Sequence, residues 1–216
     1  MKCSRLRAYL TKVGRTPSSA RDPLVALCLA GAAFAQSSGC LIQPSAVGPI
    51  HEGMTVAQAR QALRGATLKP TEDAKRLPIL SVIRDGLHTM DLYVDAGQGV
   101  KETSKIDLIR VFDGACATRD GVHPGMRLAE VAQRYGRLTR LKVTDTESRE
   151  YAEFERLPAW LEIQVGNGQT GIYPTGKRCT SNYAPAAHIA SLWVSHPVTN
   201  KPPEDDSICN APLPRR

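Results

Sequence analysis

A fourteen-residue segment of this chain occurs twice. Ile50-His-Glu-Gly-Met-Thr-Val-Ala-Gln-Ala-Arg-Gln-Ala-Leu63 lines up, 72 positions on, with Val122-His-Pro-Gly-Met-Arg-Leu-Ala-Glu-Val-Ala-Gln-Arg-Tyr135. His, Gly, Met, Ala and Gln recur in place, and Ile/Val, Val/Leu and Gln/Glu are conservative pairs. A repeat of this kind constrains the fold more than any composition does. A unit of ~70 residues buries little core alone, and two copies together bury more.

Each copy reads as the start of a short helix. In the first, Thr55 is placed to cap, Gln58 completes a capping box, and Met54 can staple onto Ala59. Val56, Ala59 and Leu63 then fall on one face, and Gly65 is a natural stop. In the second, Met126 and Val131 take the staple positions, and Leu128, Val131 and Tyr135 form the stripe. Glu130 keeps an acidic first turn, and Gly136 ends the helix. Arg127 stands where the first copy has its capping Thr, which predicts a weaker cap. Gly53 and Gly125 precede the caps, where the backbone turns tightly.

After each helix the apolar period changes to two, the mark of strands. The first copy predicts strands at Ile79–Arg84 and His88–Asp95 around an Asp85-Gly86 hairpin turn, then Lys105–Phe112. In that last strand Ile106, Leu108 and Arg110 alternate against Asp107, Ile109 and Val111. The second copy predicts Leu138–Asp145, Ser148–Arg156, Trp160–Val165 with a turn at Gly166-Asn-Gly168, and Ala187–Ser195. Ile106, Ile109 and Val111 align with Ile189, Leu192 and Val194, so the second copy holds about 11 additional residues, placed in the loop 171–185. The expected fold is α+β: two tandem units, each a short helix packed on an antiparallel meander of three to four strands. The units span 47–115 and 116–196, after a linker at 36–46 and before a Pro-rich tail at 197–216.

The first 35 residues read as an address. Lys2, Arg5, Arg7, Lys12, Arg15 and Arg21 precede an uncharged run from Pro23 to Ala35 that ends in Ala33-Phe34-Ala35. A basic region, a 13-residue apolar run and a small-x-small end make a secretory signal peptide, too short for a bilayer span of ~20 residues. Cleavage after Ala35 predicts a periplasmic or secreted product; lipidation of Cys40 would instead make an outer-membrane lipoprotein, the one route by which a membrane becomes a partner. The formal charge of +7 falls to +2 without the leader, and no basic run with interleaved aromatics remains, which argues against nucleic acid as a partner.

Cys40, Cys116, Cys179 and Cys209 would remain in an oxidising compartment, an even number that predicts two disulfides. Three connectivities are open; the expectation preferred here is Cys116–Cys179 with Cys40–Cys209, which would tie down both termini. No Cys or His spacing of a metal site is present, and no cofactor fingerprint, so no cofactor, metal ligand or catalytic residue is assigned.

The pattern Ile-x-x-Gly-Met-Thr-x-x-Gln-Ala at Ile50–Ala59, with its second copy at Val122–Val131, resembles an envelope superfamily. It includes the small outer-membrane lipoproteins of the barrel-assembly machinery and the tandem-repeat β-lactamase inhibitor proteins; the stretch Ile106–Gly136 also resembles uncharacterised secreted bacterial proteins. The resemblance implies a helix on an antiparallel sheet and makes the motif residues structural: Gly53, Met54, Thr55, Gln58, Gly125, Met126 and Glu130. It carries no partner-binding residue over, so β-lactamase inhibition is not implied.

The functional expectation is a non-enzymatic protein that binds another envelope protein through a sheet surface. Trp160, Tyr173, Tyr183 and Trp193 form the candidate interface, with core filling as the competing role. An inhibitor of an envelope or secreted hydrolase is the alternative. A small secreted hydrolase using His51 or His123, which occupy equivalent positions, is the third reading. The carboxylates of Asp145–Glu155 fit a solvated strand face better than an acid pair.

Overall fold

A computed structural model describes residues 40–95, 99–144, 148–166, 170–197 and 209. The leader, residues 36–39 of the linker, the turn residues 167–169 and the tail beyond 197, apart from Cys209, lie outside the described residues. The elements in order are β1 (Cys40–Gln43), β2 (Ala46–Val47), β3 (Ile50–His51), α1 (Val56–Ala62), β4 (Thr67–Glu72), β5 (Pro78–Arg84), β6 (Leu87–Asp95) and β7 (Lys105–Val111). There follow β8 (Cys116–Thr118), α2 (Leu128–Tyr135), β9 (Leu138–Val143), β10 (Glu150–Phe154), β11 (Leu161–Gly166), β12 (Cys179–Thr180) and β13 (Ser191–Val194). The fold is α+β: two short helices and mostly antiparallel strands.

One sheet has nine strands in the order β12-β9-β10-β11-β13-β7-β6-β5-β4. The smaller sheet has the order β3-β2-β1-β8, with a parallel β1–β8 pair. Both helices and the small sheet pack on one face of the large sheet. Val56, Ala59 and Leu63 of the α1 region, Leu128, Val131 and Tyr135 of α2, and Ile42, Val47 and Ile50 join Leu80, Leu92, Ile109, Leu141, Ile163 and Leu192 in one core. Burying such side chains is the main stabilising term.

Local chemistry accounts for the helix starts. Gln58 N–H donates to Thr55 Oγ1 at 3.3 Å and Thr55 N–H donates to Gln58 Oε1 at 2.9 Å. Arg127 makes no side-chain cap bond at the start of α2. Both starts are stitched to the chain in the same way. Gly53 and Gly125 donate to the carbonyls of Ile106 and Ile189 (2.7 and 2.8 Å), and Ile106 and Ile189 donate back to Met54 and Met126 (2.9 and 2.8 Å). Gly53 and Gly125 have φ of 78° and 87°, a conformation a side chain would strain. The uncapped α2 yields a prediction: Arg127→Ser, with Glu130 three residues on, completes a capping box and raises stability by about 1 kcal/mol, while Thr55→Ala lowers it by a similar amount. Urea unfolding of both variants measures this.

Three expectations need correction. Residues 40–46, read as linker, form β1 and most of the β1–β2 hairpin, and β4 is an additional strand ahead of the first meander. In β7 the alternation shifts: a register irregularity opposite Tyr93/Val94 puts Ile106 on the core side with Ile109 and Val111, leaving Leu108 and Arg110 on the other face. The disulfides are Cys40–Cys116 and Cys179–Cys209, not the expected pairs. The reason is the parallel ladder, which sets Cys40 directly opposite Cys116, whereas Cys179 lies on β12 at an edge of the other sheet.

Candidate functional site

The large sheet has a second face, and the cluster on it is drawn from the sheet's own strands. Ile79, Tyr93 and Trp193 are buried there with Leu108 and Tyr151 packed against them. Cross-strand register sets its plan. Glu162 on β11 lies opposite Trp193 on β13, Trp193 opposite Arg110 on β7, Arg110 opposite Asp91 on β6, and Asp91 opposite Ser81 on β5. Such directly opposed pairs are the contacts through which a sheet face is organised.

Arg110 is the centre of this row. Its Nε donates to Ser191 Oγ at 3.1 Å and its Nη2 to Gln164 Oε1 at 2.8 Å. Gln164 Oε1 also accepts from Ser191 Oγ and from Trp193 Nε1, both at 3.2 Å. The guanidinium lies 4.6 Å from the Phe112 ring centre and 4.8 Å from that of Trp193, and a second guanidinium, Arg149, lies 5.5 Å from the same indole. Cation–π attraction favours both contacts. Burial, and then the charge of Arg149, lowers the Arg110 pKa from its ordinary value, though a guanidinium remains protonated. The Tyr93 ring sits 5.3 Å from Trp193, and its hydroxyl, buried in a side chain only 7% exposed, has no hydrogen-bond partner among the described residues.

Beside this cluster is a cavity of about 280 Å³ over β9, β10 and β11, lined in part by Lys142, Tyr151, Leu157 and Glu162. Its floor charge is compensated: Glu153 meets Arg140 Nη2 at 2.7 Å and Lys142 Nζ at 3.1 Å. The volume falls just below the range of small-molecule pockets (~300–1,000 Å³).

The four aromatics of the candidate interface do not form one patch. Trp193 is on the second face and only 8% exposed. Trp160 and Tyr183 pack against the main core, and Tyr173 is half-buried with its hydroxyl donating to Glu150 Oε1 at 2.8 Å. Tyr93, Tyr151 and Arg110 complete the cluster around Trp193. Their signal was each residue's place on the non-core side of its strand, but joining them needs the β13–β7–β6 register.

The histidines give no relay. His51 Nδ1 donates to Glu52 O at 2.8 Å, and His123 Nδ1 donates to Pro124 O at 2.7 Å. Neither meets a carboxylate among the described residues. Ser81, Asp91 and His88 do come together, since Ser81 Oγ and His88 Nε2 both donate to Asp91 Oδ1, at 2.8 and 2.7 Å. The carboxylate stands between the other two, whereas activating a serine requires the imidazole in the middle. Among the described residues, no three His, Cys, Asp or Glu side chains are grouped to hold a metal ion, and no helix is long and apolar enough to cross a membrane.

Burial raises the hydroxyl pKa of Tyr93, Tyr135, Tyr151 and Tyr173 above the ordinary 10.0, and the Glu150 charge adds to the rise at Tyr173. These hydroxyls ionise in the unfolded chain before they ionise in the folded one. Their contribution is therefore complete below about pH 10 and lost as pH rises above it. Thermal unfolding between about pH 9 and about pH 11 should show a falling midpoint, with tyrosinate absorbance appearing together with unfolding.

No family model matches the chain, and no curated protein matches it. Among solved structures, the fold is similar to the crystal structure of the uncharacterized protein yfeY from Escherichia coli, with a TM-score of 0.50 and 14% identity. The likeness covers 73% of this chain and 99% of that one. At that identity it speaks to fold alone.

Proposed function

We propose that this chain is an exported, disulfide-stabilised, non-enzymatic protein of the bacterial envelope that binds another envelope protein through the second face of its large sheet. The observation that carries the reading is the aromatic–arginine cluster at the middle of that face, fixed by Gln164 and Ser191. Tyr, Trp and Arg are the residues over-represented where binding energy concentrates in protein interfaces. The two disulfides are compatible with an extracellular or periplasmic location. A thiol bonded to Cys116 cannot also carry a thioether-linked lipid, so this reading takes Cys40 as a disulfide partner.

The same reading takes the body as two copies of one unit, in keeping with the resemblance to the tandem-repeat envelope superfamily. Three observations support the duplication. Both helix starts make the same backbone bonds, each helix is followed by strands that form a meander, and the aligned strands β7 and β13 pair antiparallel. Arg110 and Trp193, at aligned positions, face each other across that pairing.

The test is site-directed photo-crosslinking in the exported full-length chain. A photoreactive residue at position 162, on the second face, should give a discrete crosslinked protein, while one at the exposed Glu130 of α2 should not. Crosslinks only from position 130, or from neither, would overturn the proposal. Mass spectrometry of the exported product should give a chain beginning after Ala35.

A further inference from the structure

We infer that Arg110 is a docking point for a carboxylate on an acidic peptide segment, whose flanking apolar side chains seat on the part-exposed Leu108 and Tyr151 beside it. The inference rests on the reading that the second face binds a protein, and adds the chemistry of what it binds.

A guanidinium has five N–H groups. Arg110 uses its Nε and one Nη2 hydrogen on Ser191 and Gln164, so three N–H groups are left for a ligand. No carboxylate of the described residues lies within ion-pair distance of it, and the cross-strand acid, Asp91, already receives Ser81 and His88 on Oδ1. The unused Nη hydrogens suit the two-pronged geometry in which arginine takes a carboxylate.

The site is also built in advance. Phe112 and Trp193 hold the guanidinium from their ring faces and Gln164 holds it in plane, so little side-chain freedom is lost on binding. The charged groups around it are Asp91 and His88 on β6, Arg149 ahead of β10 and Glu162 on β11. Two guanidiniums, those of Arg110 and Arg149, lie 4.8 and 5.5 Å from the same indole. Tyr93 is the second, independent pointer. Its hydroxyl is a buried polar group without a partner among the described residues, beside the same indole, and such groups are costly unless something satisfies them. Leu108 and Tyr151, part-exposed over the buried Ile79, Tyr93 and Trp193, put apolar surface beside the charge, which favours a peptide over a bare inorganic anion.

The probes are the peptides acetyl-Phe-Glu-Phe-amide and acetyl-Phe-Gln-Phe-amide, followed by Trp193 fluorescence in the full chain carrying W160F. The Glu peptide should bind at least about tenfold more tightly, a difference that vanishes in R110M and is partly kept in R110K. Equal affinity for the two peptides, or binding of neither, overturns the inference without any Arg110 variant needing to fold. Inorganic phosphate competing as well as the Glu peptide would overturn it too, by making this a free-anion site. R110M is then placed in the chain carrying the photoreactive residue at 162. Capture that persists at full yield defeats the carboxylate site and leaves the binding face standing; absence of capture in the chain with Arg110 intact defeats the binding face itself.

Discussion

Replacing Cys40 and Cys116 together by serine should lower the unfolding free energy by about 4.5 kcal/mol, read from urea unfolding as a lower midpoint with a somewhat steeper slope, because the unlinked denatured chain exposes more surface. The bond closes a sequence separation of 76 residues, against 30 for Cys179–Cys209. In the chain-entropy account the longer loop restrains the unfolded chain more, so the shorter should give about 3.5 kcal/mol. The first bond also sits at the start of the parallel β1–β8 ladder, where Ile42, Val47 and Ile50 of the small sheet enter the core. Losing it loosens that layer as well. If the two double variants reversed in order, the loop-entropy explanation would fail.

Glu150→Ala should cost about 3 kcal/mol, with Glu150→Gln in between. Glu150 is fully buried, with 0% of its surface exposed. Its Oε1 accepts from Gly171 N at 2.7 Å and Tyr173 Oη at 2.8 Å, and Thr170 N donates to Oε2 at 2.9 Å. Alanine leaves these donors unmatched in a place water does not reach. Glutamine keeps one accepting oxygen but turns an amide group toward the Thr170 N–H. The pocket is closed around the carboxylate: a methyl on Gly166 would meet Thr170 Oγ1 and come within 2.6 Å of Glu150 Oε2. Tyr173→Phe removes a single donor and should cost only about 1 kcal/mol, so a larger loss there than in Glu150→Ala would contradict this ordering.

The physical reach of sequence patterns explains which parts of this fold could be read ahead. Capping residues and the Asp85-Gly86 turn act on their own neighbours, and both appear in place: the Thr55–Gln58 box is made, and Asp85 and Gly86 have φ of 52° and 78°. Such positive values at both turn residues suit a tight hairpin. What escaped has its cause elsewhere in the chain. β1 and β2 are four and two residues long with no usable period, and they are strands only because β8 and β3 pair with them. β4 carries Pro70 and five exposed residues, a polar pattern that reads as loop. The disulfide pairing depends on one ladder, and the Arg110 cluster on the register of three strands. Trp193 was nameable as a member of the cluster from its type; its companions Tyr93 and Tyr151 were not, because they come from strands remote in sequence.

The sheet order has a consequence for how this molecule coexists with copies of itself. The β13–β7 pairing turns two would-be edges into interior strands, leaving β4 and β12 at the margins. Neither invites another chain to add on. β4 is interrupted by Pro70 beside Lys69, and β12 is two residues long and pinned by Cys179–Cys209. Proline, lysine and shortness are the devices by which sheet margins resist polymerisation. A nine-stranded sheet with such margins thus terminates itself at high concentration and does not grow by edge-to-edge addition.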